Sequence, residues 1–419
     1  MTLQTFPVPS VRTRKPRFES SLEKIPQERL LGRGGFGQTL EIEDPTRPEQ
    51  TIVLKRFYAD RRTLRGRGVM RHIHEELRKI DPAQTYFGGL FLQQGDLHMT
   101  MRNHGISLET LSRSGKLDKG DVVRGLYRNF PNLIHGLQKL HSEKWIHGDV
   151  KAANILVSDS FHLRLIDYDL TGEESAYRYA ASKDLIFPRS SMKRFYYIWP
   201  WERWYDNRER CFMWDESNFR KGMMGYHDVG LFKTRKDADI AALLIEKLNR
   251  VRWVRPTPPK GAPPAWVARM IKAHATGAGY IDYDDLFDYL ESAPIDVALF
   301  EGILPSFLFD IIDYYTVSRG HVSKENVLEI DTFGLGLVAQ ESFLANDRER
   351  FLSPYEQRST KRMVEVMLHP DPTKRSLLWI HPSKEAGGKK KRETNGRQYG
   401  SGVQHDMQLY PGSQRLVRN

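Results

Sequence analysis

Hydrophobic and polar positions fall into a regular order from Glu28 onward. Leu30 and Leu31 lead into a glycine-rich turn, Gly32-Arg33-Gly34-Gly35-Phe36-Gly37, and a later charged turn opens onto Thr51-Ile52-Val53-Leu54 and Lys55. Short apolar runs divided by glycine and charged turns predict three strands. The period then changes. Ile73, Leu77 and Ile80 fall at i, i+4 and i+7, which predicts a helix over 69–80 that also carries Glu75 and Glu76. In WIHGDVKAANILV (145–157) polar groups alternate with apolar ones and a strand follows; 13 residues after Asn154 the pair Leu165-Ile166 runs into Asp167-Tyr168-Asp169. Ile240, Leu243, Leu244 and Leu248 make one apolar stripe, and 263–273, 283–292 and 295–317 are further helical candidates, so 203–322 reads as helical. Residues 1–27 and 383–419 show no periodicity and have the composition of flexible tails.

Composition narrows the class. The chain has 419 residues, 64 Lys and Arg against 53 Asp and Glu, 39% hydrophobic and 28% charged residues, and a net charge of +11. This excludes a disordered or fibrous chain and allows one two-lobed enzyme or a few modules. The longest apolar stretch, 297–315, is broken by Glu301, Pro305 and Asp310 and cannot span a bilayer as a helix. Residues 1–20 lack the apolar core of a secretory signal. The single cysteine, Cys211, excludes an intramolecular disulfide framework and a cysteine-cluster metal site. An intracellular monomer, cytoplasmic or nuclear and without membrane attachment, is expected.

The charge is uneven. Residues 1–20 carry a balance of +3 and residues 383–419 one of +5, so the body between them is close to neutral. GGKKKR (387–392) reads as a nuclear import signal, as a contact to nucleic-acid phosphates, or as a solvated tail. A nucleic-acid partner is thus permitted by the tails but not required. A second basic concentration, RFYADRRTLRGRGVMR (56–71), is either a substrate-steering rim or a solvated loop.

Three groups of residues offer chemistry. Glycines at 32, 34 and 37 allow the backbone to approach phosphate oxygens with its N–H groups pointing at the anion. A dinucleotide fold would need a helix directly after them, whereas strands follow; a glycine-rich hairpin without a ligand has the same pattern. Lys55, at the end of an apolar strand, needs an anion or a carboxylate partner. Asp149, Lys151 and Asn154 can project from one irregular loop toward a common point. They supply a carboxylate to orient and deprotonate a hydroxyl, a cation for a moving phosphoryl group and an amide oxygen for a hard metal ion. Asp167 is suited to hold Mg2+ through nucleotide phosphates. A β-hairpin with polar turns explains each Asp singly but not the set.

GRGGFG, VLK, HGDVKAANILV and LIDYDL, in this order, resemble the eukaryotic protein kinase superfamily. DTFGLG (331–336) and HPDPTKR (369–375) are similar to its later motifs. The resemblance implies a bilobal α+β fold: a small β-rich N-lobe over about 28–101, a large, mainly helical C-lobe over about 105–382, and a helical insertion at about 203–322. It implies ATP and Mg2+ as cofactors and proteins with Ser or Thr acceptors as substrates. Gly32, Gly34, Gly35, Phe36 and Gly37 would cover the ATP phosphates, and Lys55 would hold the α- and β-phosphates while paired with Glu76, or alternatively Glu75. Asp149 would be the base, Lys151 the γ-phosphate contact, and Asn154 and Asp167 the metal ligands. Asp331 would brace the catalytic loop, and Arg375 would pair with a glutamate closing the activation segment, for which Glu202 in FYYIWPWERW (195–204) is the candidate. Lys151, two residues after Asp149, favours Ser/Thr transfer. MTMRNHGISLETL (99–111) resembles the hinge of the casein kinase one and vaccinia-related kinase group, which suits Gly148 and Tyr168 as well. In that register Met101 is the gatekeeper, the backbones of Arg102 and His104 contact adenine, and Val53 and Leu156 sandwich the base.

Several positions depart from the family pattern. Gly148 replaces the arginine that reads activation-loop phosphate, which favours constitutive activity. Asp169 replaces a glycine; either altered metal affinity or a blocked inactive flip would follow. Asp331 lies 129 residues beyond Glu202, a far longer span than usual. Within it, 276–290 echoes the second half of a calcium loop, but His274, Thr276 and Ala278 supply no carboxylates for the first half. Two other readings are open: a small-molecule phosphotransferase of the aminoglycoside or choline type, and a catalytically silent scaffold with nucleic-acid-binding tails.

Overall fold

The computed structural model describes residues 29–33, 37–44, 47–57, 87–93, 96–182, 199–203, 205–206, 211–212, 216–250, 300, 303–306, 308, 326–377 and 379. Five strands, β1 (Arg29–Arg33), β2 (Gly37–Asp44), β3 (Arg47–Phe57), β4 (Phe87–Gln93) and β5 (Asp96–Arg102), form one antiparallel sheet in the order β1-β2-β3-β5-β4. Leu40, Ile42 and Leu54 bury together on β2 and β3. Side chains alternate across a strand, so Val53 and Lys55 share one face of β3. The register places Lys55 between Thr39 and Met99, and Val53 between Glu41 and Met101.

After the linker 103–105, β6 (Ile106–Ser107) opens α1 (Leu108–Arg113), capped by the Ser107 hydroxyl, which accepts the Thr110 N–H at 3.1 Å. In α2 (Gly120–Ser142), Val123, Leu126, Phe130, Leu133, Leu137 and Leu140 recur at helical spacing and are buried. Four short strands follow: β7 (Trp145–Ile146), β8 (Ile155–Val157), β9 (Leu163–Leu165) and β10 (Gly172–Glu173). β6, β8 and β9 make one small sheet and β7 pairs with β10. The remaining helices are α3 (Glu174–Ser182), α4 (Glu216–Asp228), α5 (Arg235–Arg250), α6 (Glu329–Ala339) and α7 (Pro354–Met367). Every residue of α6 is buried, which makes it the central helix of this part. α7 starts with a capping box between Ser353 and Glu356.

One apolar core joins α2, the short strands and α4 through α7. The apolar stripe on α5 belongs to it, with Ile240, Leu243 and Leu244 buried; the side chain of Leu248 lies outside the described residues. The first two helices of the expected insertion are therefore part of the main core. A β-rich first part followed by a mainly helical part agrees with the expected bilobal α+β fold. The expected helix at 69–80, the candidates at 263–273 and 283–292, the calcium-like stretch and both tails lie outside the described residues, as does nearly all of 295–317. No described helix is long and apolar enough to cross a membrane.

Candidate active site

The β8–β9 hairpin brings together residues that the sequence separates. Ile155 pairs with Leu165, and the Ile166 N–H donates to the Asn154 carbonyl at 2.9 Å. Asn154, ahead of β8, and Asp167, behind β9, thus leave the same end of the hairpin. The loop before β8 turns inward on itself. The Asn154 Nδ2 donates to the Asp149 carbonyl at 2.9 Å and to its Oδ2 at 2.8 Å. The Lys151 Nζ donates to the same Oδ2 at 2.8 Å. With both amide hydrogens used on Asp149, Asn154 offers its Oδ1 to a ligand. The other Asp149 oxygen, Oδ1, is buried and accepts no hydrogen bond among the described residues.

A buried carboxylate fixes this loop from below. Asp331 Oδ2 accepts the His147 N–H at 2.7 Å and Oδ1 accepts that of Gly148 at 2.8 Å, while His141 Nε2 lies 2.9 Å from Oδ2. Burial alone would raise the Asp331 pKa; the hydrogen bond and charge of His141, followed by His147, outweigh it and hold the carboxyl below its ordinary value. α6 approaches closely because residue 334 is glycine: a Cβ there would stand 2.5 Å from the Val150 carbonyl. Gly148 has φ +78°, and a Cβ on it would meet the Leu170 carbonyl at 2.9 Å and the Tyr177 hydroxyl closer still. That hydroxyl donates to the Leu170 carbonyl, and the Trp199 Nε1 donates to the Gly148 carbonyl at 2.9 Å. Trp199, one of the aromatics before the insertion, is a core residue.

Lys55 reaches across from β3. Its Nζ lies 2.6 Å from Asp167 Oδ1 and 2.6 Å from Asp169 Oδ2. Burial alone would lower the lysine pKa, but the two carboxylates raise it. Asp167 is held below the usual carboxylate range: burial opposes this, and the Lys55 charge overcomes it. Asp169 is pushed up to about 6, by burial and by the Asp167 charge against the pull of Lys55. Further out, Arg375 makes a two-pronged, fully buried ion pair with Glu202, with Nη2 3.2 Å from Oε2. The Arg203 Nη2 donates to the Asn326 carbonyl at 2.9 Å. Glu329 joins this cluster, 3.6 Å from Arg375 Nη1, and burial followed by the Glu202 charge pushes its carboxyl to about 9.

The remaining candidate residues divide into described and undescribed ones. Gly32 stands in β1 opposite Thr39, and Gly37 opens β2 opposite Phe57. Met101 pairs with Val53 across β3 and β5, Arg102 ends β5, His104 is in the linker, and Leu156 faces Ser107 across β6 and β8. Gly34, Gly35, Phe36, Glu75 and Glu76 lie outside the described residues. Sequence reasoning noticed Asp169 but not its partner, since Lys55 is 114 positions away. It did not anticipate Tyr177 over Gly148 or the burial of Glu329, and no local pattern signals either.

The site fits a nucleotide with a divalent cation. Among the described residues no three His, Cys, Asp or Glu side chains gather as a metal site of their own. Mg2+ does not need such a cage, because it is held by one or two side chains together with substrate phosphates. The Asn154 Oδ1 and the Asp167 carboxylate, whose side chain is 34% exposed, supply that number.

Residues 25–183 match the family model of the protein kinase domain. Over 150 residues the chain is 28% identical to the serine/threonine-protein kinase KIC1 of Saccharomyces cerevisiae, covering 34% of this chain and 13% of that protein. It is 27% identical over 149 residues to the mitogen-activated protein kinase HOG1 of Torulaspora delbrueckii, covering 33% and 32%. It is 26% identical over 178 residues to mitogen-activated protein kinase 5 of Arabidopsis thaliana, covering 39% and 44%. The chain thus spans about a third or less of the first two relatives. Lys55, Asp149, Lys151, Asn154, Asp167 and Asp169 all fall in the segment that matches the protein kinase domain.

Proposed function

We propose that this chain is a serine/threonine protein kinase that transfers the γ-phosphoryl group of ATP to protein hydroxyls. The observation that carries this reading is the convergence of Asp149, Lys151 and Asn154 on one loop, with Asp167 and Lys55 at its mouth. Bound Mg2+–ATP would supply the phosphoryl donor with its charge partly neutralised. The Asp149 Oδ1, buried and without a donor among the described residues, would accept the proton of a substrate hydroxyl. Lys151 fixes the orientation of that carboxylate through Oδ2 and contributes positive charge where the transferred group passes. Asn154 and Asp167 would hold the metal ion, and Lys55 the α- and β-phosphates. Gly32 through Gly37 would cover those phosphates, with Val53, Leu156, Met101 and the backbones of Arg102 and His104 around adenine.

The kinase domain is assigned to 28–382, with tails on either side that serve docking or targeting. The hinge sequence, Gly148 and Tyr168 support placement near the casein kinase one and vaccinia-related kinase group. The Arg375–Glu202 pair favours a protein acceptor over a small alcohol, because it secures the segment on which a peptide would lie.

The test is incubation of the full chain with labelled ATP and Mg2+, offering either protein mixtures or small alcohols such as choline and aminoglycosides. Asp149→Ala and Lys55→Met are each expected to lower protein labelling by about 100-fold or more with the fold intact. Labelling of small alcohols alone, or labelling that survives both substitutions, would refute the assignment.

A further inference from the structure

The ammonium of Lys55 meets two carboxylates two residues apart, Asp167 and Asp169, each at 2.6 Å. Their placement comes from the backbone. Asp167 adopts a left-handed conformation (φ 65°, ψ 65°) and a single 3-10 turn, Tyr168–Leu170, follows. The two side chains differ in access. That of Asp167 is 34% exposed and that of Asp169 only 8%. Asp167 is therefore on the open side of the lysine and Asp169 behind it.

Among the described residues, two carboxylates stand against one ammonium in a buried place, a surplus of negative charge. If Asp167 turns to a metal ion, Asp169 still gives Lys55 a buried counter-charge from among the described residues. A glycine at 169 would leave the lysine, whose side chain is 10% exposed, without this partner at the moment it must be held still. The second Asp169 oxygen is buried and accepts no hydrogen bond among the described residues, an arrangement that is costly unless the ammonium compensates it.

We propose that Asp169 is a positioning residue for Lys55, supplying the buried carboxylate that keeps the ammonium in the cleft while Asp167 serves the metal ion. This inference rests on the kinase reading. It also assigns a purpose to the position where the sequence departs most sharply from the family pattern.

Two measurements on the full chain test it. Asp169→Asn is nearly isosteric and leaves Asp167 to pair with Lys55, so the fold is retained. It is expected to lower kcat about tenfold, with Asp169→Glu recovering part of the loss, while the KM for ATP does not rise because a negative charge near the phosphates has gone. In a Lys55→Met background, Asp169→Asn should have no further effect on kcat. An unchanged kcat in Asp169→Asn, or the same fold loss with and without Lys55, would overturn the proposal. A wild-type protein that transfers no label would sink the kinase reading itself. The pairing is then judged from a urea-unfolding cycle of Lys55→Met, Asp169→Asn and the double variant. There the proposal expects about a tenfold departure from additivity in the folded-to-unfolded ratio, and additive effects overturn it.

Discussion

Asp331→Asn replaces one atom and separates the role of a charge from that of a shape. In the native protein Asp331 is fully buried and serves three donors: the Gly148 N–H on Oδ1, and the His147 N–H with His141 Nε2 on Oδ2. An asparagine has one acceptor oxygen and one amino group. Whichever way it is placed, its amino group confronts a backbone N–H of residue 147 or 148, and that donor is left buried and unpaired. An unpaired buried donor costs about 1–3 kcal/mol, and the surviving bonds lose the assistance of the negative charge, for a total of roughly 2–4 kcal/mol. The melting temperature should fall by several degrees. Activity should fall further than stability suggests, because residues 147 and 148 adjoin Asp149 and a displacement of about 1 Å at reacting groups can cost about 100-fold. Thermal or urea unfolding reads the first effect, and kcat at saturating ATP the second. The pH dependence has a definite sign. The folded carboxyl is held below its ordinary value of 3.8, so its contribution is present above that value and is lost as pH falls through the folded one. The wild-type and variant stability curves should therefore converge in acid. An Asp331→Asn protein that matches wild type in both melting temperature and kcat would show that the carboxylate does not hold the loop.

Two further substitutions probe other parts of the same architecture. Gly148→Ala puts a side chain at φ +78° against the Tyr177 hydroxyl and the Leu170 carbonyl; left-handed strain of about 1–2 kcal/mol plus the clash should lower the melting temperature, and a neutral result would refute the contact. Glu329, with its carboxyl raised to about 9 from 4.5, binds a proton in the fold that the unfolded chain has lost across that window. Stability should therefore fall as pH rises from about 4.5 to about 9, by up to about 1.4 kcal/mol per unit, and Glu329→Gln should melt above wild type at about pH 8 and with it in acid; no difference at about pH 8 would refute the buried proton.

The legible features of this sequence are those carried by local order. Alternating and glycine-bounded runs marked the strands around Lys55, and a 3.6-residue period marked α5 through Ile240, Leu243 and Leu244. The loop from His147 to Asn154 stood out because its polar groups are close in sequence and chemically matched. The pairing of Arg375 with Glu202, 173 positions apart, was implied by resemblance and is present in the structure. What local order cannot carry is the identity of a distant partner when no family pattern supplies it. Asp169 was visible as an anomaly, yet only the fold sets it against Lys55. Glu329 carries no mark in the sequence, and its burial follows from the packing of α6 on all sides. The length of the insertion is foreign to the family, yet α4 and α5 bury Met223, Tyr226, Ile240 and Leu244 in the common core.

Gly148 shows how these distant contacts add up. Its N–H is taken by Asp331, its carbonyl by the Trp199 indole, and the space above its Cα by the Tyr177 ring. Three segments, α6, the stretch before Glu202 and α3, thus converge on the residue preceding Asp149. An arginine at this position would carry a long charged side chain that needs an anion, and its order would depend on one being supplied. Glycine removes that dependence. The two backbone groups are satisfied within the fold, and the tyrosine occupies space that any side chain would claim. Tyr177 is itself held by its bond to the Leu170 carbonyl, and α3 is tied to the loop through the Glu174 N–H, which donates to the Lys144 carbonyl at 2.7 Å. The backbone that leads into Asp149 is therefore held by neutral backbone and aromatic contacts together with one buried carboxylate, none of which requires a phosphate group to form.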